Sequence, residues 1–89
     1  MRLYRRKSTA PIEAYQLTVD NMEKLAEWCR GKIKGTKLPP EERIIQFYNQ
    51  YYPAGECDVE VGDWIVKDGI QFSVYNDHAF NQIFVATGG

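Results

Sequence analysis

Between Met22 and Cys29 the apolar residues Met22, Leu25, Ala26 and Cys29 fall at i, i+3, i+4 and i+7. That spacing forms one stripe only on a 3.6-residue helix, so this stretch has to bury one face against another element. Glu23, Lys24, Glu27 and Arg30 take the wet side. Asp20-Asn21-Met22-Glu23 has capping-box spacing, and Gly31 is the expected left-handed residue at the helix end. Trp28 borders the stripe and is read as covering the edge of the core, or as a partly exposed contact residue.

The rest of the chain supplies strands for the helix to lie on. Ile12-Glu13-Ala14-Tyr15-Gln16-Leu17 alternates, with Ile12 and Ala14 on one face and Tyr15 and Leu17 on the other, so both faces have some burial. Lys32-Ile33-Lys34 reads as a brief strand, and Pro39-Pro40 marks the 35–42 segment as a loop. Ile44-Ile45-Gln46-Phe47-Tyr48 is β-branched and aromatic. Cys57, Val59 and Val61 share the inner face of the next strand. Asp68-Gly69 predicts a hairpin between Trp64-Ile65-Val66-Lys67 and Ile70–Tyr75. Asn76 or Asp77 caps a single helical turn through Phe80, and Ile83-Phe84-Val85 closes as a strand. Leu3 and Tyr4, set among basic residues, read as a solvent-facing edge. The expectation is one α+β domain over residues 1–89: a small antiparallel sheet, one main α-helix packed on a face, and a short C-terminal helical turn.

With 89 residues, 44% hydrophobic and 26% charged, the composition is that of one globular domain and excludes a disordered or collagen-like chain. No apolar run reaches the ~18 residues of a membrane span, and no apolar stretch follows the charges of Met1–Arg6, so a cytoplasmic protein is expected. Cys29 and Cys57 lack paired spacing and are read as reduced thiols, one of them in the core. Residues 1–37 carry nine basic and four acidic side chains, and residues 38–89 carry two and eight. These charges are read as interleaving on one body, with a basic face for phosphates or an acidic partner as the alternative.

The chain resembles a group of small phage and prophage proteins at Pro11-Ile12-Glu13-Ala14-Tyr15-Gln16-Leu17, Trp28-Cys29-Arg30-Gly31 and Val61-Gly62-Asp63-Trp64-Ile65-Val66-Lys67-Asp68-Gly69. Phe72, Phe80 and Phe84 correspond roughly to that group's aromatic tail. The usual tail, close to G-E-F-Y-P-C-K-P-D-I-F, is altered: both prolines and the cysteine are missing from 69–80, so nothing is carried over from it. The resemblance implies a phage accessory protein in the host cytoplasm and supplies no reaction.

Chemistry-bearing patterns are sparse. Cys57 with His78 would be the nucleophile and base of a small hydrolase, and Cys29, Cys57 and His78 lack zinc-site spacing. Asp63 and Asp68 are read as turn residues. No catalytic, metal or cofactor assignment is made. Twelve aromatic rings exceed what so small a core is expected to hold, so several are expected at the surface. The candidate binding residues are Arg5, Arg6, Trp28, Lys32, Lys34, Tyr48, Tyr51 and Tyr75. Two readings follow: an accessory protein binding a host or phage protein, as an inhibitor of a host process, or a module sequestering a small nucleotide-like ligand. DNA binding is disfavoured by an isoelectric point near 5.8 and the lack of a recognition helix. A homodimer is expected, with Phe47, Tyr48 and Trp64 at its interface or rim.

Overall fold

The structure, a computed structural model, describes residues 3–6, 11–49, 55–69 and 71–86. In chain order the elements are β1 (Leu3–Arg6), β2 (Pro11–Gln16), α1 (Met22–Trp28), β3 (Lys32–Lys34), a 3-10 turn (Pro40–Glu42), β4 (Ile44–Tyr48), β5 (Glu56–Glu60), β6 (Trp64–Asp68), β7 (Gln71–Tyr75), α2 (Asp77–Ile83) and β8 (Phe84–Ala86). The class is α+β, as the patterning predicts. Two antiparallel sheets replace the single one expected: five strands in the order β7-β6-β2-β1-β8, and three in the order β3-β4-β5. Neither helix is long and apolar enough to cross a membrane.

The two-sided character of β2 organises the molecule. Tyr15 lies opposite Ile65, which lies opposite Val74, and Ala14 lies opposite Val66 and so in line with Ser73. Tyr15, Leu17 and Ile65 join the larger core with Met22, Leu25, Ala26 and Cys29 of the α1 stripe and Ile45, Phe47, Cys57 and Val59 of the small sheet. Ile12, Ala14 and Val66 join the smaller core with Phe80 and Phe84. The five-stranded sheet therefore has a core on each face, because alternate residues of its central strands are apolar on both sides.

Several local expectations are corrected. β1 is no edge: it pairs with β2 on one side and β8 on the other. Asp20 does not cap α1. Asn21 stands at the cap position, but its side chain accepts from the Thr18 amide at 2.8 Å and donates to the Gln16 carbonyl at 2.8 Å, fixing the approach from β2 instead. The left-handed residue at the end of α1 is Arg30, at φ 58, not Gly31. The Gly31 amide donates to the Ala26 carbonyl and the Arg30 amide to that of Glu27, the paired bonds of a Schellman ending. Gly31 is reserved for a different need: a Cβ there would lie 2.7 Å from Ile45 Cγ2 and 2.8 Å from the Gln46 carbonyl. The chain must pass β4 closely just after the helix, so the positive φ falls one residue earlier.

At the other end, Asp68 pairs with Gln71, which moves the hairpin turn one residue past the expected Asp68-Gly69, with Gly69 at φ 64. α2 runs seven residues to Ile83 rather than one turn, capped by Asn76, whose side chain accepts from the Ala79 amide at 2.7 Å. It equals α1 in length, so among the described residues both expected helical elements are present and the C-terminal one is longer than expected. The buried Asn49 spans the two sheets, its Nδ2 donating to the Phe72 carbonyl at 2.6 Å.

A candidate binding groove at the end of helix α1

The aromatic surplus is mostly consumed inside. Tyr15, Trp28, Phe72 and Phe47 form a chain of edge-to-face contacts at centroid distances of 5.0, 5.0 and 6.3 Å on the larger core. On the opposite face Trp64 stacks on Phe80 at 3.9 Å, Phe80 on Phe84 at 4.9 Å, and Tyr75 meets Phe84 edge-on at 5.2 Å. Eight rings are thereby committed to the fold, each contact worth up to about 1 kcal/mol beyond its buried area. Among the described residues the exposed exception is Tyr48, at 72%.

This placement corrects several expected site and interface residues. Phe47 is 3% exposed and cannot reach a partner. Trp64 is stacked under α2 and donates its indole N–H to Asp77 Oδ1 at 2.9 Å. Tyr75 belongs to the same cluster, away from Trp28 and Tyr48. Arg5 and Arg6 lie on β1 of the large sheet, whereas Lys32 and Lys34 lie on β3 of the small one, so the four cations do not share an element. Tyr51 lies outside the described residues.

Trp28 and Tyr48 do converge. They line a half-open groove of about 510 Å³ together with Cys29, Arg30, Lys67, Gly69 and Phe72. Each wall comes from a local feature. α1 ends at Trp28, and the Schellman ending puts Arg30 on the rim. β4 ends with the outward Tyr48, whose ring lies over Gly55, where a Cβ would come within 3.1 Å. Lys67 and Phe72 are cross-strand partners in the β6–β7 hairpin and so project on the same face. Among the described residues no carboxylate lines the groove. The nearest in register is Glu13, opposite Lys67 on β2. Arg30 and Lys67 were not among the expected residues. The signal that could have found Lys67 is the two-residue alternation of the hairpin, which sets it beside Phe72; Arg30 had no local signal.

The chemistry of the walls is that of binding. The Cys29 thiol is buried and donates weakly to the Ala26 carbonyl at 3.8 Å. Burial pushes its pKa above the ordinary 9.0, against the opposing pull of nearby backbone hydrogen bonds, so it stays a thiol at neutral pH. Cys57 is buried in the larger core, whereas His78 rides on α2 over the other face, 3.1 Å from Gln82 Nε2. The sheet stands between the thiol and the imidazole, so the expected alternative of a Cys57–His78 nucleophile is not assembled. Neither cysteine forms a disulfide. Asp63 is a turn residue, its carboxylate accepting from the Glu60 amide at 3.0 Å. No group of three or more His, Cys, Asp or Glu is placed to hold a metal ion among the described residues.

Comparison with protein families, curated proteins and solved structures returned no match to this chain.

Proposed function

We propose that this chain is a phage-encoded accessory binding protein that works in the host cytoplasm by holding a small planar anion of nucleotide type. One observation carries the reading: the groove joins three rings, Trp28, Tyr48 and Phe72, to two cations, Arg30 and Lys67, with no acidic side chain in its lining among the described residues. A ring face takes a planar group by stacking, and a guanidinium with an ammonium takes a phosphate or carboxylate. A volume of about 510 Å³ suits a ligand of nucleotide size. Sequestration is the mode that fits a site whose described lining pairs cations with rings and whose one thiol, Cys29, is held protonated by burial. The phage setting rests on the sequence resemblance alone.

Tryptophan fluorescence tests this, because Trp28 lines the groove while Trp64 is stacked on the opposite face. Titration with adenosine monophosphate should quench Trp28 saturably, and the Trp28→Phe variant should lose that quenching. Arg30→Ala and Lys67→Ala should each weaken binding by about tenfold, the worth of one charge-assisted hydrogen bond. No saturable change with any mononucleotide, or equal affinity in Arg30→Ala, removes the proposal.

A protein partner is supported by one observation of its own, the exposed Tyr48 beside Arg30 at the rim, since Tyr and Arg are enriched in interface hot spots. A stoichiometric host protein retained by the wild type and lost with Tyr48→Ala, with nucleotide titrations silent, selects that reading.

A further inference from the structure

The outer face of the small sheet sorts its charges by strand. β4 lies in the middle with Ile45 and Phe47 buried, so Ile44, Gln46 and Tyr48 face outward. In register, Lys32 lies opposite Gln46, which lies opposite Asp58. Likewise Lys34 lies opposite Ile44, which lies opposite Glu60, and Tyr48 lies opposite Glu56. Facing residues of a ladder project to the same side. The exposed Lys32 and Lys34 therefore form one margin, and the exposed Glu56, Asp58 and Glu60 form the other. Cation and carboxylate margins stand two strand spacings apart, roughly 10 Å. Between them is an uncharged strip of Ile44, Gln46 and Tyr48, where Gln46 Nε2 donates to Asp58 Oδ1 at 3.0 Å.

From this arrangement we propose that the outer face of β3-β4-β5 is a self-complementary surface that takes a second copy of this chain. The charge pattern selects both the occupant and the symmetry. A two-fold axis lying in the interface and parallel to β4 turns left into right, so the lysine margin of each copy meets the carboxylate margin of the other. An axis perpendicular to the strands would set lysines on lysines and is excluded by repulsion. Ile44 and Tyr48 then pack on their counterparts along the axis. The face is small: two strands of five residues and one of three cover at most roughly 15 Å by 17 Å, well under the ~800 Å² per partner of a standard stable interface. The dimer is accordingly weak, concentration-dependent and sensitive to salt, because its charged margins are solvent-exposed. This surface shares Tyr48 with the groove, but its charged margins lie outside the groove lining, and its test uses no residue with a role there.

Sedimentation equilibrium on the full chain tests it. The wild type should show a reversible monomer–dimer equilibrium at low ionic strength that shifts toward monomer on adding salt. The double variants Lys32→Glu/Lys34→Glu and Asp58→Lys/Glu60→Lys should each be monomeric, since like charges then face each other across the axis. Their equimolar mixture should recover a dimer, because one copy now carries only carboxylates on this face apart from its neutral strip, and the other mostly lysines. Recovery on mixing also shows that both variants are folded. A wild type that keeps the mass of one chain up to millimolar concentration overturns the proposal. So does a dimer that persists unchanged in both variants, which would place the interface elsewhere. A monomer that instead binds a single-stranded oligonucleotide, and loses it with Lys32→Glu/Lys34→Glu, also overturns it.

Discussion

Arg30 and Gly31 show how neighbouring residues divide two backbone duties. A left-handed φ of 58 costs an L-residue about 1–2 kcal/mol, and glycine would adopt it freely. Gly31 cannot be spared for that role, because its missing side chain is the space occupied by Ile45 Cγ2 and the Gln46 carbonyl. The two substitutions should therefore move stability in opposite directions. Arg30→Gly is expected to stabilise by about 1 kcal/mol by releasing the strained φ, less what glycine's freedom in the unfolded chain takes back. Gly31→Ala is expected to destabilise by about 1–3 kcal/mol, since its Cβ would press on backbone that cannot yield. Urea unfolding midpoints of the two variants check this; a Gly31→Ala midpoint at or above the wild type contradicts the close approach. Arg30→Gly should also lose affinity for the planar anion while gaining stability, a separation that a purely structural Arg30 would not give.

Among the elements, α2 departs furthest from expectation, and its reasons are tertiary. Asn76 supplies a local start signal that the sequence shows plainly. The extension beyond Phe80 follows from packing: Phe80 stacks between Trp64 and Phe84, and Asp77 Oδ1 accepts from both the Trp64 indole and Asn81 Nδ2, at 2.9 and 3.1 Å. An isolated helix of seven residues is marginal in water, so α2 depends on its cap and on the sheet beneath it. Asn76→Ala should cost about 1 kcal/mol. Backbone amides of Ala79 and Phe80 should then exchange faster, while those of α1 are unaffected. Equal acceleration in both helices would show that the cap does not act locally.

Across the whole molecule, Asn49 is the polar link between the two sheets. It is 3% exposed, and its side chain donates to the carbonyl of Phe72 on β7. Replacing it by Leu keeps the volume and removes the donor, so a half-buried carbonyl at the edge of the large sheet loses this partner. The expected cost is about 1–3 kcal/mol. Native-state hydrogen exchange should show the edge strand β7 losing protection before β6 and β2, each of which is paired on both sides; uniform loss would mean that Asn49 is no hinge point between the sheets. Local chemistry was sufficient for the type of most segments, though not for the length of α2 or the exact placing of caps and turns. The α1 stripe, the alternation of β2 and β5, the β-branched β4 and the turn glycines each carry their own signal, because a helix face or a strand face is defined by residues close in sequence. Some burial on both faces of β2 was legible too, but that it means a separate core on each side of the sheet appears only in the packing. Partner choice was not legible. That β1 pairs on two sides, that the strands divide into two sheets, and that eight rings pack inward depend on residues tens of positions apart, whose approach no local pattern encodes. The groove is of that kind: Trp28 and Tyr48 could be named as candidates from their types. Arg30 and Lys67 join them only because α1, β4 and the β6–β7 hairpin end at the same place, which the packing of the two sheets decides.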